Sequence, residues 1–191
     1  ERTARYTNYE AGQVSLGVRG RGGSFRDVTN GYESIEGYLT ARDDNSSPVL
    51  GRFGNRIAGG KIVIDEQEYQ LELNNNGNNL HGGSTGFAYQ IWDAVEEVNG
   101  EGNPTVKMHY LAVDGEGGYP GNLDITVVYT LTQDNQLKMD YFAQTDAPTI
   151  LNPTSHAYFN LHGTTAQPAT SHQMTIYADG FLPTDEGLIP T

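Results

Sequence analysis

Cysteine is absent from the 191-residue chain, which excludes disulfides, thiolate catalysis and cysteine-ligated zinc. A chain without cysteine fits a reducing or an oxidising compartment equally well. Lysine is nearly as scarce: Lys61, Lys107 and Lys138 are the only three, and every arginine lies before position 60. With 24 acidic residues against 11 basic ones, the formal net charge is −13. The clustered cations that displace counterions from phosphate are therefore missing. Nucleic acid is excluded as a partner on this ground, and so is an anionic membrane face. No run approaches the roughly 18 apolar residues of a membrane helix, and the chain opens at Glu1 with no charged-then-apolar leader. Amphipathic helices of ten residues or more are missing as well. Only residues 32–39 have room for a short helical turn.

What the chain does have is period two. Leu123, Ile125, Val127, Tyr129 and Leu131 alternate with polar or smaller residues, and alternation resumes with Leu137, Met139, Tyr141 and Ala143. The polar Gln133-Asp134-Asn135-Gln136 between them predicts a β-hairpin. Further strands are predicted around Val14-Leu16-Val18, Ile62-Val63-Ile64, Tyr69-Leu71-Leu73, Val106-Met108-Tyr110-Ala112 and Met174-Ile176-Ala178. The 24 glycines gather between these segments. Short strands with Gly-rich connections indicate an all-β, antiparallel sandwich or barrel-like fold. No internal repeat or linker divides it, so residues 1–191 are expected to form a single domain.

Loops carry function more often than core strands do, and two of them hold a histidine. His81 stands between the Asn-rich run Asn74-Asn75-Asn76-Gly77-Asn78-Asn79 and the pair Gly82-Gly83, which permits close backbone approach to a ligand. His156 follows Asn152-Pro153-Thr154-Ser155 and leads into Ala157-Tyr158-Phe159-Asn160-Leu161. Taken alone, each segment reads more readily as a plain loop or strand edge with a hydrogen-bonded histidine than as a functional site. Ser155 beside His156 is no sign of a serine triad, which is defined by geometry rather than adjacency. His109 sits within an alternating strand, and His162 and His172 flank a Thr- and Pro-containing loop, where surface roles are expected. No His pair has the i, i+4 spacing of a zincin. Asp43-Asp44-Asn45 lacks a calcium-loop pattern. No helix follows Gly20-Arg21-Gly22-Gly23 to cradle a phosphate. No metal and no nucleotide is expected.

Taken together, the loop segments resemble the aldose 1-epimerase family in five ordered blocks. The first is Gly51-Arg52-Phe53-Gly54-Asn55-Arg56-Ile57-Ala58-Gly59-Gly60. Asn79-Leu80-His81-Gly82-Gly83, with Gly86-Phe87 and Trp92, is the second, and Asp114-Gly115-Glu116-Gly117-Gly118-Tyr119-Pro120-Gly121-Asn122-Leu123 the third. Thr154-Ser155-His156-Ala157-Tyr158-Phe159-Asn160-Leu161 is the fourth, and Ala178-Asp179 with residues 185–190 the fifth. The resemblance implies an antiparallel β-sandwich of the galactose-mutarotase type that interconverts the α and β anomers of free aldoses such as galactose and glucose. It also implies that His156 is the general acid toward the sugar ring oxygen, that His81 contacts the same region, and that Asn55 and Arg56 bind sugar hydroxyls. A small-molecule sugar is then the expected partner and no cofactor is needed, because histidine exchanges protons near neutrality.

The sequence departs from the family in places. The family's general-base Glu and a sugar-binding Asp belong to a region beyond position 191, and Glu186 matches a different block. These residues are therefore expected to be the N-terminal and central portion of the domain, an incomplete sandwich with little activity by itself. Glu10 stands where the family commonly has Gly, Arg19-Gly20 where Pro-Asp is usual, and His162 where a small residue is usual. Two other functions fit the pattern. One is a non-catalytic carbohydrate-binding sandwich. The other is a hexose-6-phosphate 1-epimerase with Arg19, Arg21 and Arg26 as a phosphate pocket.

Overall fold

The alternation around Leu123 sets the largest sheet. In the computed structural model, which describes residues 2–20, 22–41, 44–163 and 167–191, strand β11 (Leu123–Leu131) turns Leu123, Ile125, Val127 and Tyr129 into the core. A pleated strand sends every second side chain to one face. Strands β9 (Asp93–Val98), β10 (Pro104–Ala112) and β12 (Leu137–Thr145) complete an antiparallel meander in the order β12-β11-β10-β9. The predicted hairpin is present, with Leu131 opposite Leu137. The turn is closed by a bond from the Thr132 N–H to the Gln136 carbonyl at 2.9 Å. Met108 and Ala112 of β10 join the β11 residues, and Phe87, Trp92, Val49 and Ala11 pack on them from outside the sheet. Each large apolar side chain buried this way contributes about 1.5–3 kcal/mol.

A second, three-stranded sheet lies near the N-terminus, with order β1 (Thr3–Tyr6), β2 (Gln13–Arg19) and β3 (Phe25–Asp27). It is tied to the meander by Tyr129, whose ring lies 4.4 Å from that of Tyr6 and whose hydroxyl donates to the Ala11 carbonyl at 2.9 Å. The expected helical turn is the six-residue α1 (Ile35–Thr40). Three short antiparallel pairs supply the rest of the ladders. They are β4 (Val49–Leu50) with β13 (Thr154–Ser155), β5 (Arg56–Ile57) with β8 (Asn79–Leu80), and β6 (Lys61–Ile64) with β7 (Gln67–Gln70). Asp65 and Glu66 both have positive φ, 49° and 66°, which is the two-residue turn that suits a twisted hairpin.

Two strand expectations fail. The ladder of β7 stops at Gln70, and Leu71 is buried beyond its end against Ile62 and Tyr119, while Leu73 is exposed. The segment around Met174, Ile176 and Ala178 forms no strand among the described residues. Its apolar residues face solvent, Met174 at 83% and Ile176 at 73% exposure. Alternation marks a face, but a strand also needs a neighbour's N–H and C=O groups, and none lies beside this segment among the described residues. Arg21 and Asp43 lie outside the described residues. Gly20 opens a tight turn, accepting from the Gly23 N–H at 2.9 Å, and leads into β3 rather than a helix.

Candidate active site

The segment 48–57 is the hub of the site, since both histidine loops dock on it. On one edge, β13 pairs with β4 through Thr154↔Leu50 and Ser155↔Val49, and the His156 N–H donates to the Pro48 carbonyl at 2.9 Å. On the other, β8 pairs with β5 through Arg56↔Leu80 and Ile57↔Asn79. The chain then curls back so that the His81 N–H meets the Asn55 carbonyl at 3.0 Å. Two loops 75 positions apart in sequence thus deliver imidazoles to one face, with ring centroids 5.5 Å apart and planes at 79°.

Several backbone features in this turn are unusual for their residue types. His81 has φ 58° and Asn55 φ 70°, a left-handed region that non-glycine residues occupy at a cost, Asn and His more readily than most. Gly82 has to be glycine: a Cβ there would lie 1.8 Å from the Gly51 carbonyl oxygen, and its φ is 88°. Gly51 in turn leaves room for Phe87, whose ring would meet a Cβ at 2.1 Å. This close stack lets the His81 loop lie directly on the hub.

The Asn-rich run is a set of braces. Asn74 pairs with Leu80 like a backbone strand, its Nδ2 donating to the Leu80 carbonyl at 3.0 Å and its Oδ1 accepting the Leu80 N–H at 2.8 Å. Asn76 and Gly77, with φ 48° and 78°, close a two-residue turn between Asn75 and Asn78. Asn78 accepts from the Gly59 N–H at 3.0 Å. Asn79 is fully buried, donates to the Glu72 carbonyl at 2.8 Å and accepts from the Tyr119 hydroxyl at 2.9 Å. These side-chain-to-backbone bonds give the segment one fixed course and so fix where His81 sits.

The hydrogen bonding and burial of His81 set its protonation. The Asn55 N–H donates to His81 Nδ1 at 2.9 Å, so the neutral imidazole carries its proton on Nε2. Burial pushes the His81 pKa down to about 4, and the positive fields of His156 and Arg56 add to the effect. His81 is therefore neutral near pH 7 and presents an Nε2–H donor. His156 stands beside it, with the Tyr158 ring 5.0 Å away at 62°. Arg56 Nε donates to Asn75 Oδ1 at 3.1 Å and Nη1 to Asn55 Oδ1 at 3.2 Å. All four residues singled out from the sequence, Asn55, Arg56, His81 and His156, are thus connected.

Three contributors were not legible beforehand. Arg52 is almost fully buried and ties three segments, donating through Nη1 to the Pro120 carbonyl at 2.9 Å and the Thr149 hydroxyl at 3.3 Å and through Nη2 to the carbonyls of Ala112 at 3.0 Å and Val113 at 3.1 Å. A charged residue is expected at the surface, and nothing in the local pattern marks this one as interior. Tyr158 has a signal in hindsight, since i and i+2 share a face of an extended segment. Asn75 was hidden within its run. The other histidines lie apart. His109 faces Asp124 at 3.1 Å and Asp93 at 4.0 Å across the meander. His162 stacks on His172 at 5.0 Å. Glu186 lies in an exposed turn between Thr184 and Pro190. Among the described residues no group of three or more His, Asp or Glu could hold a metal ion. A cavity of about 500 Å³ between β1 and the β9–β10 edge, lined by Arg2, Tyr6, Glu96, Val106 and Tyr129 among others, includes none of the four site residues. Chemistry follows the converging polar groups, and these are on the histidine face.

A paired-histidine face on a β-rich antiparallel scaffold is the arrangement that the sequence resemblance implied. The aldose 1-epimerase family model matches residues 3–191. This chain belongs to the aldose 1-epimerase family. It is 42% identical over 178 residues to galactose mutarotase from Bos taurus, covering 93% of this chain and 50% of that protein. It is 37% identical over 168 residues to aldose 1-epimerase from Escherichia coli, covering 88% and 47%. The chain thus spans about half the length of the curated relatives it matches. Among solved structures, it superimposes on an aldose epimerase homologue from C. elegans with TM-score 0.85 and 29% identity, over 100% of this chain and 56% of that one. Galactose 1-epimerase from Lactobacillus acidophilus gives TM-score 0.74 and 29% identity, over 84% and 46%. The fold is accordingly of the galactose-mutarotase type.

Proposed function

We propose that the histidine face binds a free aldose and contributes the acid half of α/β anomer interconversion. The observation that carries this reading is the convergence of two imidazoles from distant loops, 5.5 Å apart, beside Asn55 and Arg56; burial holds His81 neutral near pH 7. In this reading His156 gives a proton to the ring oxygen as the C1–O5 bond breaks, and a base takes the proton of the anomeric hydroxyl. The product is the open-chain aldehyde. Rotation about C1–C2 exposes the other carbonyl face, and closure reverses both transfers. His81 Nε2–H holds the same oxygen region by hydrogen bonding, while Asn55 and Arg56 take hydroxyls. The base is the carboxylate that the family resemblance puts beyond position 191. The names of the relatives, galactose mutarotase and aldose 1-epimerase, support anomer interconversion as the reaction. A positioned acid typically contributes about 10²–10⁴-fold.

The sugar is proposed to be unphosphorylated. Among the arginines considered for a phosphate, Arg26 already donates to the His162 carbonyl at 3.1 Å.

Polarimetry of freshly dissolved α-D-galactose and α-D-glucose tests the reading, using the 191-residue chain and a form extended at its C-terminus to the length of the relatives. Acceleration in the extended form that falls at least about 100-fold in His156→Ala is the expected result. Equal acceleration by His156→Ala would overturn the acid role. Sugar binding with no acceleration in either form would establish a carbohydrate-binding module instead.

A further inference from the structure

Arg56 has five N–H donors in one rigid plane, and the protein occupies only part of them. Nε–H goes to Asn75 Oδ1 at 3.1 Å and one Nη1–H to Asn55 Oδ1 at 3.2 Å. Among the described residues the guanidinium makes no other hydrogen bond. Three N–H groups, two of them on Nη2, are left for a ligand. A long arginine side chain has about 2 kcal/mol of rotamer entropy to lose on ordering, so its direction has to be imposed by its partners. Asn55 is exposed and immediately adjacent in sequence, and the bond to it alone leaves the plane free to swing about Nη1.

Asn75 supplies the second, fixed point. Its own backbone is pinned twice, by its N–H to the Asn78 carbonyl at 3.1 Å and by its carbonyl accepting the Asn78 N–H at 2.8 Å. The turn between them is closed by the left-handed Asn76 and Gly77. The Asn75 amide oxygen is therefore set by the fold before Arg56 meets it. Gripping Nε rather than an Nη atom matters, because it anchors the guanidinium at its root and leaves the far edge open.

We infer that Asn75 is the positioning residue for Arg56, holding the guanidinium so that its unoccupied Nη2 edge points to the sugar beside His81. This rests on the proposed sugar-binding role of the site. It gives the Asn-rich loop a share in sugar affinity without any contact to the sugar. The electrostatic influence of Arg56 on His81 fits this placement.

The experiment is an NMR titration of the full chain with labelled histidine and arginine, compared with Asn75→Leu, Asn75→Asp and Arg56→Gln. It reads His81 protonation against pH and galactose affinity at fixed pH. Leu removes the acceptor at similar volume, whereas Asp keeps an oxygen where Oδ1 stood. The expected result for Asn75→Leu is an upward move of the His81 pKa in the same direction as in Arg56→Gln. Galactose affinity should fall about fivefold in the same variant, the size of one lost hydrogen bond's worth of orientation, and Asn75→Asp should stay within about twofold of the native chain. The inference is overturned if Asn75→Leu leaves His81 and galactose affinity unchanged while Arg56→Gln moves both. It is also overturned if Asn75→Asp loses affinity as fully as Asn75→Leu. Should Arg56→Gln leave galactose affinity untouched, the sugar-binding role of Arg56 fails, and the His81 titration of Asn75→Leu alone decides whether Asn75 orients it.

Discussion

Between residues 93 and 145 the chain forms four strands in unbroken antiparallel register, and their stability comes from apolar side chains sharing one face. Between residues 48 and 83 it forms pairs of only two to four residues. There, side-chain amides bonded to backbone, left-handed residues and glycine stacking take the place of a long ladder. The meander is a generic solution in which many apolar residues of suitable size would serve. The histidine hub is a specific one, in which particular atoms at particular positions hold two imidazoles together. Substitutions should therefore act differently in the two regions.

The largest effect is expected at the hub. Gly82→Ala adds a Cβ 1.8 Å from the Gly51 carbonyl oxygen at a φ of 88°. It should cost on the order of 4–5 kcal/mol in denaturant unfolding, the range of the severe backbone and packing mutations. Ile125→Ala in the meander, fully buried in the native chain, should cost about 2–4 kcal/mol by leaving a cavity. In the fraction that remains folded, galactose affinity should be unchanged. A loss of affinity there would erase the distinction between the regions. Asn74→Ala, which removes two bonds to Leu80, should cost about 1–2 kcal/mol while moving the His81 resonances. Phe142→Ser, on an exposed position of β12, should stay within about 0.5 kcal/mol of the native chain.

The pH response sharpens the comparison further, since two buried groups pull in opposite directions. His81 has its pKa lowered to about 4 by burial, so the unfolded chain binds the proton more tightly. Its contribution is present above the ordinary histidine pKa and is lost as pH falls from about 6.5 toward 4. Burial raises the Glu10 pKa to about 8, so the folded chain holds the proton more tightly there. That contribution is present below the ordinary Glu pKa and is lost as pH rises toward 8. Glu10 also has φ 59°, a conformation natural to the glycine that the family commonly carries at this position. Glu10→Gly should therefore raise stability more at pH 8.5 than at pH 5, and His81→Gln should flatten the acid side of the profile. Both are read from thermal midpoints across pH. Equal gains from Glu10→Gly at the two pH values would show that strain rather than charge dominates at this position.

Much of the fold was legible because period-two burial is a local pattern, and β10, β11 and the 131–137 hairpin follow it closely. The segment around Met174 and Ile176 was not, because its alternation says nothing about whether a neighbouring strand is present. The candidate site was legible residue by residue through the family blocks, but its construction was not. That Arg52 is interior depends on the Pro120 carbonyl and the adjacent Ala112 and Val113 carbonyls converging on it from two segments. That Asn75 grips Arg56 depends on the turn at Asn76 and Gly77. Neither can be read from the order of residues along the chain.

The most direct test of the account is to titrate galactose into the labelled chain while following the ring resonances of all five histidines. The account expects His81 and His156 to shift together with one saturation curve, and His109, His162 and His172 to stay still. It expects the shifts to vanish in Asn55→Ala combined with Arg56→Gln. Saturable shifts at His109 or at the His162–His172 pair, with His81 and His156 unmoved, would contradict it.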